Sequence, residues 1–194
     1  MSDKLYSFVF RGLLTEEALD KAGRANRHKF SQEEEAELMK TLCYDDFDED
    51  LLSKAKKMSV VYTAICAFEN TVRDFVSKVL LDHYKENWWT NGVQESIRTK
   101  AQTRKDDEDK IRWHTHRGDS MINYTEFGDL VLIMKKNENW PLFEPHIISI
   151  DWASQIVKSL ERSRNVIMHS GELANEDIER IGTNIRDWIK QVGS

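Results

Sequence analysis

Apolar residues recur along much of this chain at steps of three and four, the period of amphipathic helices. The most regular run extends from Leu51 to about Lys85, where Ala55, Met58, Tyr62, Ile65, Glu69, Val72, Val76 and Val79 repeat three-four-three-four. That pattern predicts one long helix with a long antiparallel partner in a bundle. A second run, from about Ser149 to Ser170, places Ile150, Ala153, Val157, Leu160 and Ile167 on one face, and Ser-Gly after His169 predicts its end.

Shorter helices fill the rest. Thr15-Glu16-Glu17 opens one that runs to about His28, after an apolar run before Thr15 too short to assign. Ser31-x-x-Glu34 opens another by the capping-box pattern, reaching roughly Cys43. The acids between Asp45 and Asp50 read as a solvated turn and the start of the long helix, whose positive end they suit. Ser96 to Lys110 reads as a highly charged helix. Tyr124 to Lys136 reads as a short one burying Phe127, Leu130, Val131 and Met134. Asn175 is expected to cap the last helix, with Ile178, Ile181, Ile185 and Trp188 inward. Asn139 to Phe143 reads as a loop, because Pro141 ends any helix before it. Trp88 and Trp89 are expected to close one end of the core, and Trp140 and Phe143 to plug the bundle.

Two charges break the apolar pattern. Glu69 sits at the centre of the long seam, and Arg164 falls between Leu160 and Ile167. Each loses water there and needs a partner. Arg73, one turn after Glu69, can reach it, and so can Arg164 if the two helices pack together. The pair is then either a structural ion pair or part of a site that includes His169 and a water-filled cleft. Asn165 and His169 are four apart and share a helix face. Arg164 and His169 are five apart, roughly 140° around an ideal helix, so they meet only because arginine is long and the helix is ending.

Composition agrees with an all-α protein: among 194 residues there are two prolines and eight glycines, and 32% are charged. A formal charge of −6 argues against binding nucleic acid by bulk charge, so any RNA contact needs a local basic patch. Arg98, Lys100, Arg104 and the loop Arg112-Trp113-His114-Thr115-His116-Arg117 could form one. The same loop also reads as ordinary surface. Its HxH with Asp119 invites a metal reading, but the acid is displaced from the metallohydrolase string and no βαβ pattern surrounds it. Cys43 and Cys66 suggest no secreted staple, the longest apolar stretch (Ser59 to Phe68) is too short to cross a bilayer, and a signal layout is missing. A cytoplasmic protein without a membrane partner is expected. No Gly-rich phosphate loop, acid/base carboxylate pair or Cys or Ser nucleophile with a well-spaced His stands out, and no cofactor is implied.

The string Arg164-Asn165-Val166-Ile167-Met168-His169 resembles the Arg-x4–6-His motif of the HEPN superfamily, all-α domains that act mostly as RNases. AICAFENTVRDFV, NWW, YTEFGDL, NWPLF and IRDWIKQVG together resemble the HEPN branch first described beside a nuclear transcript-surveillance endonuclease. The likeness runs from about Leu51 to Gly193, which leaves residues 1–46 as an N-terminal helical extension and 47–194 as the HEPN-like domain. It implies an antiparallel helical bundle, a homodimer with a composite cleft, no metal, and an RNA product ending in a cyclic phosphate. Arg164 would then hold the scissile phosphate and His169 transfer protons. Asn165 would orient His169 or the phosphate, and Glu69, with Arg73, would fix Arg164. A non-catalytic domain that binds RNA or protein, with the motif holding the dimer together, is the alternative. Some relatives carry a Tyr two residues after the motif His, where this chain has Gly171, so control through that Tyr is not expected. Relatives that act as toxins or phage-defence effectors imply an antitoxin or defence-system protein as a further partner.

Overall fold

The computed structural model describes residues 30–192 together with residues 15, 18 and 19. Those three isolated residues are helical. The remainder of the helix expected over residues 15–28, and the apolar run before it, lies outside the described residues. No strand occurs among the described residues, and the all-α expectation holds. The chain divides into two units, Met1–Leu52 and Ser53–Ser194.

In the first unit, helix α1 (Gln32–Thr41) starts as its sequence dictates. The Ser31 hydroxyl accepts from the Glu34 N–H, and the Glu34 carboxylate accepts from the Ser31 N–H. Cys43 ends the region in the left-handed conformation, so it is a turn residue and not a helical one. The acidic stretch forms a short 3-10 turn (Tyr44–Asp46). Asp48 then accepts from the Asp50 and Leu51 N–H groups at the start of α2 (Glu49–Tyr84), the solvated helix start its acids predicted.

In the second unit, α2 is followed by α3 (Trp88–Gly92), α4 (Glu95–Asp109), α5 (Phe127–Lys135), α6 (Trp140–Phe143), α7 (Ile150–Met168) and α8 (Asn175–Val192). The buried stripe of α2 is Met58, Val61, Ile65, Phe68, Glu69, Val72, Val76 and Leu80. It differs from the heptad reading: Ala55 is exposed, Tyr62 and Val79 are only partly covered, and Leu80 is inside. A straight helix of 3.6 residues per turn drifts from a 3.5 repeat, so the buried face moves around the rod.

Aromatic rings lock the helices together. Trp188 of α8 stacks on Trp152 of α7 with ring centres 5.5 Å apart, and meets Phe68 of α2 edge-on at 5.5 Å. Phe127 of α5 approaches the same Phe68 at 6.0 Å, and Phe75 of α2 approaches Phe143 of α6 at 5.6 Å. Each such pair is worth about 0.5–1.5 kcal/mol beyond the area it buries. Trp88 and Trp89 pack partly buried against this core, as their position at the end of α2 predicted.

Two local expectations fail. Asn139 to Phe143 is not a loop: residues 140–143 form a helical turn with Pro141 in its first positions, where a missing N–H costs nothing. Asn175 is the first helical residue of α8, and the Ala174 carbonyl accepts the first bonds, from Asp177 and Ile178.

Asn139 itself is a fully buried hub. Its amide donates to the carbonyls of Gly92 and Ile133, both at 2.7 Å, and its oxygen accepts from the Tyr84 hydroxyl at 3.0 Å. One side chain thus ties the ends of α2, α3 and α5. Asn139→Ala would strand these partners, and we expect a loss of about 3 kcal/mol in unfolding free energy, read from the urea midpoint.

Candidate anion-binding cavity

Glu69 and Arg164, the two charges that interrupt apolar seams, meet. Glu69 lies on the buried face of α2 and Arg164 on α7. The Arg164 Nη1 donates to Glu69 Oε2 at 2.8 Å, and the Arg73 Nη2 donates to Glu69 Oε1 at 2.5 Å. Each carboxylate oxygen therefore serves one guanidinium. Two cations on one anion leave an unneutralised positive charge, and its outlet is decided by burial: the Glu69 side chain is 8% exposed, Arg73 14% and Arg164 25%. The excess charge reaches solvent mainly through Arg164.

That arginine lines a cavity of about 710 Å³ with Glu69, Arg73, Arg117, Glu126 and Asn165 among its walls. The wall made by the turn before α5 is gripped by two arginines. Arg73 donates to the Thr125 carbonyl at 3.2 Å, and Arg104 of α4 donates to the Tyr124 carbonyl at 2.8 Å and also binds the Glu126 carboxylate. The Glu126 N–H is in turn held by the Asp129 carboxylate at 2.9 Å. Arg104, which the sequence placed in a basic patch for phosphate, is thus committed to the fold, and nothing in the spacing of α4 marked it.

The end of α7 is set by backbone geometry. Ser170 takes the left-handed conformation with φ of 61°, its N–H bonds the Ile167 carbonyl, and the Gly171 N–H returns to the Val166 carbonyl at 2.8 Å. A Cβ on Gly171 would lie 2.6 Å from Val166 Cγ1, so the close approach requires glycine here. The stop predicted at Ser-Gly is therefore present, but serine makes the turn and glycine makes the room.

His169 is the residue that caps this helix end. It is exposed, and it is not among the cavity walls, whereas Asn165 and Met168 are. Arg164 and His169 of one protomer thus do not share one hollow. The Arg164 guanidinium turns back to Glu69, and the exposed His169 is absent from the walls of the cavity that Arg164 lines.

The loop residues Arg112, His114, His116 and Arg117 are all exposed. Arg117 alone reaches the cavity. Its backbone N–H and Nε donate to the two oxygens of Glu108, at 3.1 and 2.5 Å, and its guanidinium lies over the Tyr124 ring, 5.6 Å from the centre. His116 sits 3.4 Å from Asp109, and the His114 Nδ1 lies 2.8 Å from the Thr115 carbonyl, which places the proton on Nδ1. Among the described residues no three of His, Cys, Asp and Glu gather as a metal would require. Nor, among the described residues, is any helix long and apolar enough to cross a membrane.

A family model described as Swt1-like HEPN matches residues 63–193. The matched span contains Glu69, Arg73 and the whole of α7 and its end. No curated protein and no solved structure matches the chain.

Two predictions follow from this geometry. Glu69→Ala leaves two guanidinium groups facing each other. Because Arg164 is a quarter exposed, we expect a loss of about 2–3 kcal/mol, below the range for a fully buried pair, measured by urea unfolding. The bonds from Arg117, its backbone N–H above all, hold the Glu108 carboxyl below its usual value of 4.5. A depressed carboxyl pKa means the clamp is complete above pH 4.5 and is lost as pH falls through the lower folded value. The protection of the Arg117 amide, its exchange rate compared with the intrinsic rate at the same pH, should be lost only in that acid range in the wild type, and already at neutral pH in Glu108→Gln.

Proposed function

This chain belongs to the Swt1-like HEPN family, and on that premise we propose that it is a metal-independent endoribonuclease that cuts single-stranded RNA at a site completed by two copies of the chain. The observation that carries this reading is a half-neutralised arginine, Arg164, anchored by Glu69 at the wall of an open cavity. Arginine keeps its charge at all relevant pH values, and its fork matches phosphate oxygens.

The chemistry follows from RNA itself. The 2′-oxygen attacks phosphorus and loses its proton to a base. The P–O5′ bond breaks, and the 5′-oxygen takes a proton from an acid, which leaves a 2′,3′-cyclic phosphate and a 5′-hydroxyl. A cation on the non-bridging oxygens stabilises the crowded phosphorane between these events. Arg164 supplies that cation, and Asn165, on the same wall, offers an amide to the phosphate or to an imidazole. His169 serves as base or acid.

One protomer has one His169, and that residue stands outside the cavity of its own Arg164. Two-fold pairing that brings the ends of two α7 helices together would supply both a base and an acid, and would set each imidazole against its mate's guanidinium. Met168, exposed at the same helix end, gives that contact apolar surface. A dimer is therefore part of the proposal.

The displacement of His169 also favours a second reading, a HEPN domain that binds RNA or protein without cutting. The two separate by experiment. The purified protein should cleave single-stranded RNA in EDTA, and Arg164→Ala and His169→Ala should each lower the rate about 100-fold or more, with cyclic-phosphate ends in the product. Cleavage that survives the double substitution, or that needs added metal, rejects the ribonuclease assignment. Motif substitutions that shift dimer mass or melting temperature, beside a wild type that cuts nothing, establish the second reading.

A further inference from the structure

Trp113 is 86% exposed, the most open of the large hydrophobic side chains described. The other five tryptophans contrast with it: Trp188 is buried, and Trp88, Trp89, Trp140 and Trp152 pack partly buried against the core. The Trp113 indole contributes nothing to that core. Its ring contact is with His114, edge-on at 5.7 Å.

The loop that carries it is pinned. Arg117 is clamped by both oxygens of Glu108 and by the Tyr124 ring, His116 stands beside Asp109, and the His114 N–H bonds the Ile111 carbonyl. A ring held out to water on a fixed loop has already lost much of the freedom that binding would remove.

The charge around it selects the ligand. Residues 111–117 contain Arg112 and Arg117 and no acid. The acidic run before them is matched within the fold: Asp106 by Gln102, Asp107 by Lys110, Glu108 by Arg117, and Asp109 by Lys105. Among the described residues Arg112 has no ion-pair partner, and it faces solvent. A lone indole beside an unpaired guanidinium suits a π-face attached to a phosphate, which is a nucleotide, better than it suits an apolar protein patch. Arg117 connects this loop to the cavity, since it lines the same walls as Arg164. Trp113 is four residues away, at most about 14 Å along the chain.

We propose that Trp113 is a stacking platform for one base of a single-stranded RNA whose backbone passes Arg117 into the Arg164 cavity. This rests on the ribonuclease reading for the path of the strand, but it concerns binding and is tested without cleavage. Arg112 holds a phosphate next to the stacked base. Stacking tolerates any base, so the contact sets affinity and strand position more than sequence.

The experiment uses the full chain and a fluorescein-labelled, random-sequence oligoribonucleotide carrying 2′-O-methyl groups, which removes the attacking hydroxyl. Its affinity is measured by anisotropy beside an otherwise equal strand with abasic positions. The wild type should prefer the base-bearing strand, and Trp113→Ala should bind it roughly 5- to 100-fold more weakly and lose the preference. Trp113→Phe should retain most of both. The side chain is exposed, so neither substitution threatens the fold. Equal binding by wild type and Trp113→Ala, or a wild type indifferent to abasic positions, overturns the proposal. So does a wild type that binds no RNA. If Trp113-dependent binding is found but unmodified RNA stays intact, the platform stands and the ribonuclease reading falls. If cleavage is found with binding independent of Trp113, the reverse holds.

Discussion

A buried carboxylate shared by two arginines is the constraint on which the site depends. Glu69 lies on the inward face of the longest helix, where an ionised group without partners would cost several kcal/mol. Its two oxygens are satisfied from different directions: Arg73 from one turn along the same helix, Arg164 from α7. The second bond fixes how α7 faces α2 and holds a guanidinium at the cavity wall. A buried ion pair is poor evidence of stabilisation by itself, because an apolar replacement of similar volume often does as well. What an apolar replacement could not supply is the surplus positive charge that emerges through Arg164.

Around that centre the polar network is continuous. Arg73 reaches past Glu69 to the Thr125 carbonyl, and Arg104 grips the adjoining Tyr124 carbonyl, so the turn before α5 is held from both sides. Tyr124 then carries the Arg117 guanidinium on its ring. The cavity wall, the turn and the surface loop are thereby linked by charge-assisted bonds, which are shorter and stronger than neutral ones. For the proposed cleavage of a phosphate diester, such a chain of fixed cations would position the substrate by electrostatics with little rearrangement of the protein.

Much of the fold was legible in the chain, and for identifiable reasons. The capping box at Ser31, the acids at Asp48 and the three-four spacing of α2, α5 and α7 are local signals, and each element formed where its signal stood. The pattern failed where a side chain acts at long range. Asn139 looked like an unremarkable loop residue, yet it joins groups 6, 47 and 55 positions away. Arg104 looked like one more cation on a charged helix, and Trp113 was passed over beside two more conspicuous histidines.

The sequence by itself determined the longer helices, most of their buried faces and the presence of two charges that had to find partners, because periodicity and desolvation act within a few residues. Which partners they found was a tertiary matter. That Glu69 takes both arginines, that His169 lies beyond the cavity while Asn165 lines it, and that Arg117 bends onto Tyr124 all depend on how separate helices are rotated and spaced. Those rotations are chosen by the packing of Trp188, Trp152 and Phe68, whose contacts span the length of the domain and leave no mark on any short stretch of the chain.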